Sequence, residues 1–146
     1  MADTLFVLNG PNLNLLGTRE PDTYGHTTLA EIEADCGAAA KSAGFEIDFR
    51  QSNSEGELVD WVQEAGQKAL GLVINPGAYS HTSIALHDAI LGVSVPAIEV
   101  HISNIFARER FRRHSYISPV AAGVICGFGP TGYLLAIDAL GKIVRS

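Results

Sequence analysis

Short apolar runs and helix-period stretches alternate along the whole chain. Residues 5–8, Leu-Phe-Val-Leu, make a continuous apolar run of strand length. Leu29, Ile32, Cys36 and Ala39 recur at helical spacing and predict a helix over 28–43, with Gly44 at its C′ position. Residues 45–49, Phe-Glu-Ile-Asp-Phe, alternate as a strand with one covered face does. Ser54 and Glu57 have capping-box spacing ahead of a helix predicted over 58–70. A short, fully apolar strand follows at 71–75, a helix at 83–91, a strand at 96–100 and a fifth strand at 122–126. A closing helix is predicted over 131–140, with Gly141 after it.

Strand–helix units in series predict an α/β fold with helices on both faces of a parallel sheet. The flavodoxin-like order 2-1-3-4-5, a three-layer fold, is the natural small version, in one catalytic domain spanning 1–146. Ligands of such folds lie beyond the carboxyl ends of the strands, at the switch point between strands 1 and 3. Residues 9–25 lead from strand 1 through turn formers, amides, Arg19 and Tyr24 before any helix is predicted to start. Loops that long are usually lids or binding loops. An arginine five residues from a tyrosine gives such a lid a means of favouring phenolate.

The chain has 146 residues, 47% hydrophobic and 18% charged, which suits one domain with a real core and argues against disorder. No apolar run reaches the roughly 18 residues of a membrane span. Met1-Ala2-Asp3-Thr4 lacks the basic start of a secretory signal, so a cytoplasmic protein is expected. Cys36 and Cys126 form no CxxC and read as buried thiols in a reducing cytosol. A net charge of −6 argues against nucleic acid as a partner. Yet Arg108, Arg110, Arg112 and Arg113 crowd one stretch of a chain with only ten Lys plus Arg. A local cationic spot suits a small anion; the plainer alternative is a solvated helix face.

The polar residues gather at the strand ends. Strand 1 runs into Asn9, Pro11 and Asn12; strand 3 ends in Asn75-Pro76-Gly77-Ala78-Tyr79-Ser80-His81-Thr82-Ser83; strand 4 ends in Glu99-Val100-His101-Ile102-Ser103-Asn104. Glu99 and His101, two apart, point to one face of a strand, as an acid/base pair requires. His81, near a helix start with Ser80, Thr82 and Ser83, suits a hydrogen-bond donor in an anion pocket, with ordinary N-capping as the alternative. His81, His87, Asp88 and His101 have no HExxH spacing, so no metal is expected. Ser80 lacks a glycine elbow, and Gly127-Phe128-Gly129 lacks the GxGxxG spacing of a dinucleotide site.

Asn9-Gly10-Pro11-Asn12-Leu13-Asn14-Leu15-Leu16-Gly17-Thr18-Arg19-Glu20-Pro21, followed by Tyr24-Gly25, resembles the N-terminal signature of type II 3-dehydroquinate dehydratases. Gln51-Ser52-Asn53-Ser54-Glu55-Gly56, the strand 3 and strand 4 ends, Arg108-Glu109-Arg110-Phe111-Arg112 and Gly132-Tyr133 match later blocks in the same order. The resemblance implies dehydration of 3-dehydroquinate to 3-dehydroshikimate by trans elimination through an enolate, with no metal, Schiff base or other cofactor. It implies that Tyr24 is the base, that Arg19 and also Arg108 favour its phenolate, and that Asn12 stabilises the enolate through a water. His101, oriented by Glu99, would protonate the departing hydroxyl. Asn75, His81, Ile102, Ser103 and Arg112 would grip the substrate, Ile102 and Ser103 by backbone N–H. It also implies a homododecamer, a tetramer of trimers, in which Asp88 supports Arg112 of a neighbouring subunit. Two other classes stay open on the residues alone: a flavodoxin-like binding or receiver module, and a metal-dependent hydrolase using His81, His87 and His101.

Overall fold

The apolar run at 5–8 becomes β1 (Thr4–Asn9), in which Leu5, Val7 and Leu8 have no exposure. A strand apolar on both faces belongs inside a sheet covered on both sides. In the computed structural model, which describes residues 3–18 and 20–146, β1 is the second strand of a five-stranded sheet. The other strands are β2 (Glu46–Gln51), β3 (Gly71–Asn75), β4 (Ala97–His101) and β5 (Gly123–Cys126). All pairings are parallel and the order is β2-β1-β3-β4-β5, as expected.

Alternation along the strands sorts the core into two layers. Leu5, Val7, Val73, Ile98 and Val100 pack with Ile32 and Cys36 of α2 (Leu29–Ser42) and with Tyr133, Ile137 and Leu140 of α5 (Thr131–Arg145). Phe6, Leu8, Leu72, Ile74 and Ala97 pack on the other face with Leu58 and Val62 of α3 (Glu55–Lys68) and Leu86 and Ile90 of α4 (Ile84–Gly92). Each large apolar side chain so buried contributes roughly 1.5–3 kcal/mol. Among the described residues, no helix is long and apolar enough to cross a membrane.

Thr28, Ser54 and Ser83 cap α2, α3 and α4 by accepting from the N–H groups of Glu31, Glu57 and Leu86. Helix α3 therefore starts at Glu55, a turn before the apolar stretch at 58. Gly44, with φ +87, follows the C-cap of α2 as expected.

Three expectations are corrected. Gly141 does not end the last helix; α5 runs on to Arg145 and Gly141 is buried within it. A Cβ there would come to 3.1 Å from Phe45, so this glycine serves close packing rather than capping. Strand β2 has no clean covered face, because it is an edge strand: Ile47 and Phe49 pack half-buried on the core, while Arg50 folds back onto Asp48 at 2.8 Å on the opposite face. The loop after β1 is not devoid of helix. It contains a 3₁₀ turn at Leu13–Leu15 and a one-turn helix, α1 (Pro21–Tyr24), begun by a proline whose missing N–H costs nothing there.

Candidate active site

The carboxyl ends of β1 and β3 are drawn together by backbone. Asn9 and Asn75 are register partners, and the Gly10 N–H donates to the Asn75 carbonyl at 2.8 Å. A Cβ on Gly10 would sit 2.5 Å from the Pro76 carbonyl oxygen, so only glycine permits this approach. Asn12 then turns the chain in the left-handed region, φ 69, which asparagine tolerates better than most residues. Its N–H donates to Asn53 Oδ1 at 3.0 Å, and Gln51 Nε2 braces both Asn53 Oδ1 and the Gly10 carbonyl at 3.1 Å.

Above these ends lies a cleft of about 490 Å³. Asn12, Tyr24, Asn75, His81, His101, Ile102, Ser103, Arg108 and Arg112 all line it, so the switch-point expectation is met. Glu99 stands behind His101. Asp88 is exposed on α4 and does not line this cleft. Arg19 lies outside the described residues.

Two hydrogen-bonded pairs meet the cleft, one through Tyr24 and Arg108 and one through His101. Tyr24 Oη accepts a hydrogen bond from Arg108 Nη1 at 2.7 Å, and the same nitrogen reaches Ser103 Oγ at 3.4 Å. The second pair is buried: His101 Nε2 lies 2.5 Å from Glu99 Oε2. Glu99, without exposure, also accepts from Ser115 Oγ at 2.9 Å and from Ser118 Oγ at 2.5 Å. Burial alone would push its carboxyl up, but the His101 and serine donors outweigh burial and hold it below the ordinary 4.5. An ionised carboxylate only accepts, so Nε2 of His101 carries the hydrogen and Nδ1 is left for the cleft.

His81 departs from its expected part as donor. Its Nδ1 lies 2.7 Å from the His114 carbonyl, which can only accept, so the donor is spent on backbone. Burial, with the nearby His101 and Arg112 charges, lowers its pKa from 6.5 and keeps the ring neutral, with Nε2 an acceptor. Ser83 is an ordinary N-cap, and the cleft is lined by the 3₁₀ turn Gly77–His81 rather than by the first turn of α4. The positive charge at the cleft therefore comes from arginines. Arg108 and Arg112 line it, Arg112 with Nε on Glu109, while Arg110 and Arg113 face solvent.

The family model for Dehydroquinase class II matches residues 3–141. The chain belongs to the class II dehydroquinase family. A 3-dehydroquinate dehydratase of Mesorhizobium japonicum is 67% identical over 138 residues, covering 94% of this chain and 96% of its own. That of Sinorhizobium medicae is 64% identical, covering 99% and 98%. The crystal structure of type II dehydroquinase from Propionibacterium acnes superposes with a TM-score of 0.93 at 44% identity, covering 97% of this chain and 98% of that one.

Several residues that build this class II dehydroquinase cleft escape sequence reasoning. Ser115 and Ser118, which clamp Glu99, lie in an irregular loop and carry no local signal. Gln51 and Asn53 belong to a block that the family pattern marks, but only the fold shows them bracing the loop after β1. Tyr133, a fully buried phenol on the apolar face of α5, stands in a block that the family pattern marks, and its hydroxyl must find a partner, but only the fold shows which.

Proposed function

We propose that this cleft removes water from 3-dehydroquinate to give 3-dehydroshikimate by trans elimination through an enolate. The observation that carries the reading is that one cleft is lined both by Tyr24, bonded to Arg108, and by His101, bonded to Glu99, a candidate base and a candidate acid. Family membership and the dehydratase relatives support the substrate.

Tyr24, as phenolate, takes the proton α to the ketone, and the C–H electron pair moves into the enolate. The Arg108 guanidinium holds the phenolic oxygen through a hydrogen bond from Nη1, with Arg19 proposed as a second cation for Tyr24. Asn12 stabilises the enolate oxygen through a bound water. Collapse of the enolate then breaks the C–O bond on the opposite ring face. His101, as imidazolium backed by the Glu99 carboxylate, gives the Nδ1 proton to the departing hydroxyl, which leaves as water. Asn75, neutral His81 and the N–H groups of Ile102 and Ser103 hold substrate hydroxyls, and Arg112 meets the carboxylate. These steps need no metal or cofactor.

The functional unit is a single domain over 1–146, assembled as a homododecamer of trimers in the cytoplasm. Exposed Phe106, Phe111 and Phe128, at 58–64%, supply apolar surface for subunit contact, and Asp88, exposed on α4, is free to approach Arg112 of a neighbour. The product serves aromatic biosynthesis through the shikimate pathway or arises in quinate breakdown.

The direct test follows absorbance of the conjugated enone on adding purified protein to 3-dehydroquinate. The signal is expected to rise equally with and without EDTA, and borohydride plus substrate should leave activity intact. Absence of enone overturns the reading.

A further inference from the structure

A chain of buried polar groups runs under the cleft on the face opposite Glu99 and His101. Tyr133, with no exposure, places its hydroxyl between the ends of β1 and β3. It lies 2.7 Å from Asn9 Oδ1 and 2.9 Å from Asn75 Nδ2. Asn9, also without exposure, extends its Nδ2 to the Arg50 carbonyl at 2.9 Å, and Asn75 Oδ1 lies 3.1 Å from the Gly77 N–H.

The polarity of this chain is set at both ends by backbone. The Arg50 carbonyl only accepts, so Asn9 must turn its N–H₂ toward it and its Oδ1 toward Tyr133. Asn9 Oδ1 takes the single phenolic proton, so toward Asn75 the Tyr133 oxygen can only accept. At the far end the Gly77 N–H only donates, which holds Asn75 Oδ1. Both ends agree: Asn75 cannot flip without breaking both hydrogen bonds. Asn75 lines the cleft, and with one Nδ2 hydrogen spent on Tyr133 the other is left unspent.

We infer that Tyr133, held by Asn9, is a positioning residue that fixes Asn75 as an N–H donor toward the substrate. The matching substrate group is an acceptor oxygen, such as a ring hydroxyl. This rests on the activity proposed above. Without the phenolic hydroxyl, Asn75 loses its acceptor and its two amide orientations become closer in energy. Burial also pushes the Tyr133 phenol upward, which keeps its proton on the bond to Asn9.

The test is a double-mutant cycle of Tyr133→Phe and Asn75→Ala, with kcat and KM for 3-dehydroquinate and a melting curve for each protein. Tyr133→Phe is expected to raise KM about tenfold, the worth of one lost hydrogen bond, with a smaller change in kcat. On the Asn75→Ala background the same change should alter kcat/KM less than about twofold, because the group it positions is gone. Asn9→Leu carries the same cycle if Tyr133→Phe does not fold. An unchanged KM, or an equal penalty on both backgrounds, overturns the positioning role while leaving the activity intact. A folded wild-type chain that leaves 3-dehydroquinate unchanged overturns the activity and this inference together.

Discussion

Tyr24 and Arg108 are 84 positions apart in sequence and 2.7 Å apart at the cleft, so their partnership is made by the fold. If Tyr24 is the base, Tyr24→Phe removes the one atom that takes the proton and little else. Turnover should fall by roughly 10²–10⁴-fold with KM nearly unchanged; a variant with near-normal kcat would end that assignment. Arg108→Ala should lower kcat at least about tenfold, and Arg108→Lys should recover only part, since an ammonium on a shorter stem does not put a nitrogen where Nη1 reaches both Tyr24 and Ser103. The serines behind Glu99 offer a pH readout. They help hold its carboxyl below 4.5, so Ser115→Ala with Ser118→Ala should raise that pKa. The acidic limb of the kcat profile should then move to higher pH, and a limb that stays in place would show that the clamp does not govern His101.

Elements deliver these residues only if their ends approach closely, and two glycines allow a matched test. Gly10→Ala would drive a Cβ into the Pro76 carbonyl at 2.5 Å, backbone against backbone. Overpacking of this kind costs about 1–3 kcal/mol. It should also part the β1 and β3 loops that carry Asn12 and Asn75, so both melting temperature and kcat/KM are expected to fall. Gly37 lies inside α2 with nothing within 4 Å of an added Cβ. Gly37→Ala should therefore stabilise by up to about 1 kcal/mol through helix propensity, with kcat/KM unchanged. Thermal melts and initial rates on the two variants decide both expectations.

For the whole molecule, three groups set the same pH trend. Glu99 and Asp48 have lowered folded-state pKa values, below 4.5 and 3.8. Their contributions are complete above those ordinary values and are lost as pH falls through the lower folded values. His81 is held neutral by burial with its pKa below 6.5, so the folded state binds fewer protons than the unfolded one as pH drops under 6.5. Stability should thus rise from acid toward neutral pH, with the upper part of the slope belonging to His81. Melting temperatures of wild type and His81→Gln between pH 4 and 7.5 check this; the variant should be flatter just below 6.5. Sedimentation at assay concentration tests assembly, with a dodecamer expected and an active monomer the contrary result.

Local physics determined the framework of this protein. Apolar runs of strand length, helix-period stripes and caps such as Ser54 and Ser83 depend on neighbours a few residues apart, so they are legible in order along the chain. Strand order and the switch point follow from βα alternation, and Glu99 and His101 share a face because a strand repeats every two residues. The family pattern added candidate residues well beyond what periodicity could reach. Tertiary structure decided the partners: Arg108 on Tyr24, which the family pattern had marked as one of two candidate cations, the serines on Glu99, His81 spending its donor on His114, and Gly141 making room for Phe45 instead of ending a helix. Each of these depends on a contact between residues distant in sequence. Whether a polar group donates or accepts there is set by what faces it across the fold.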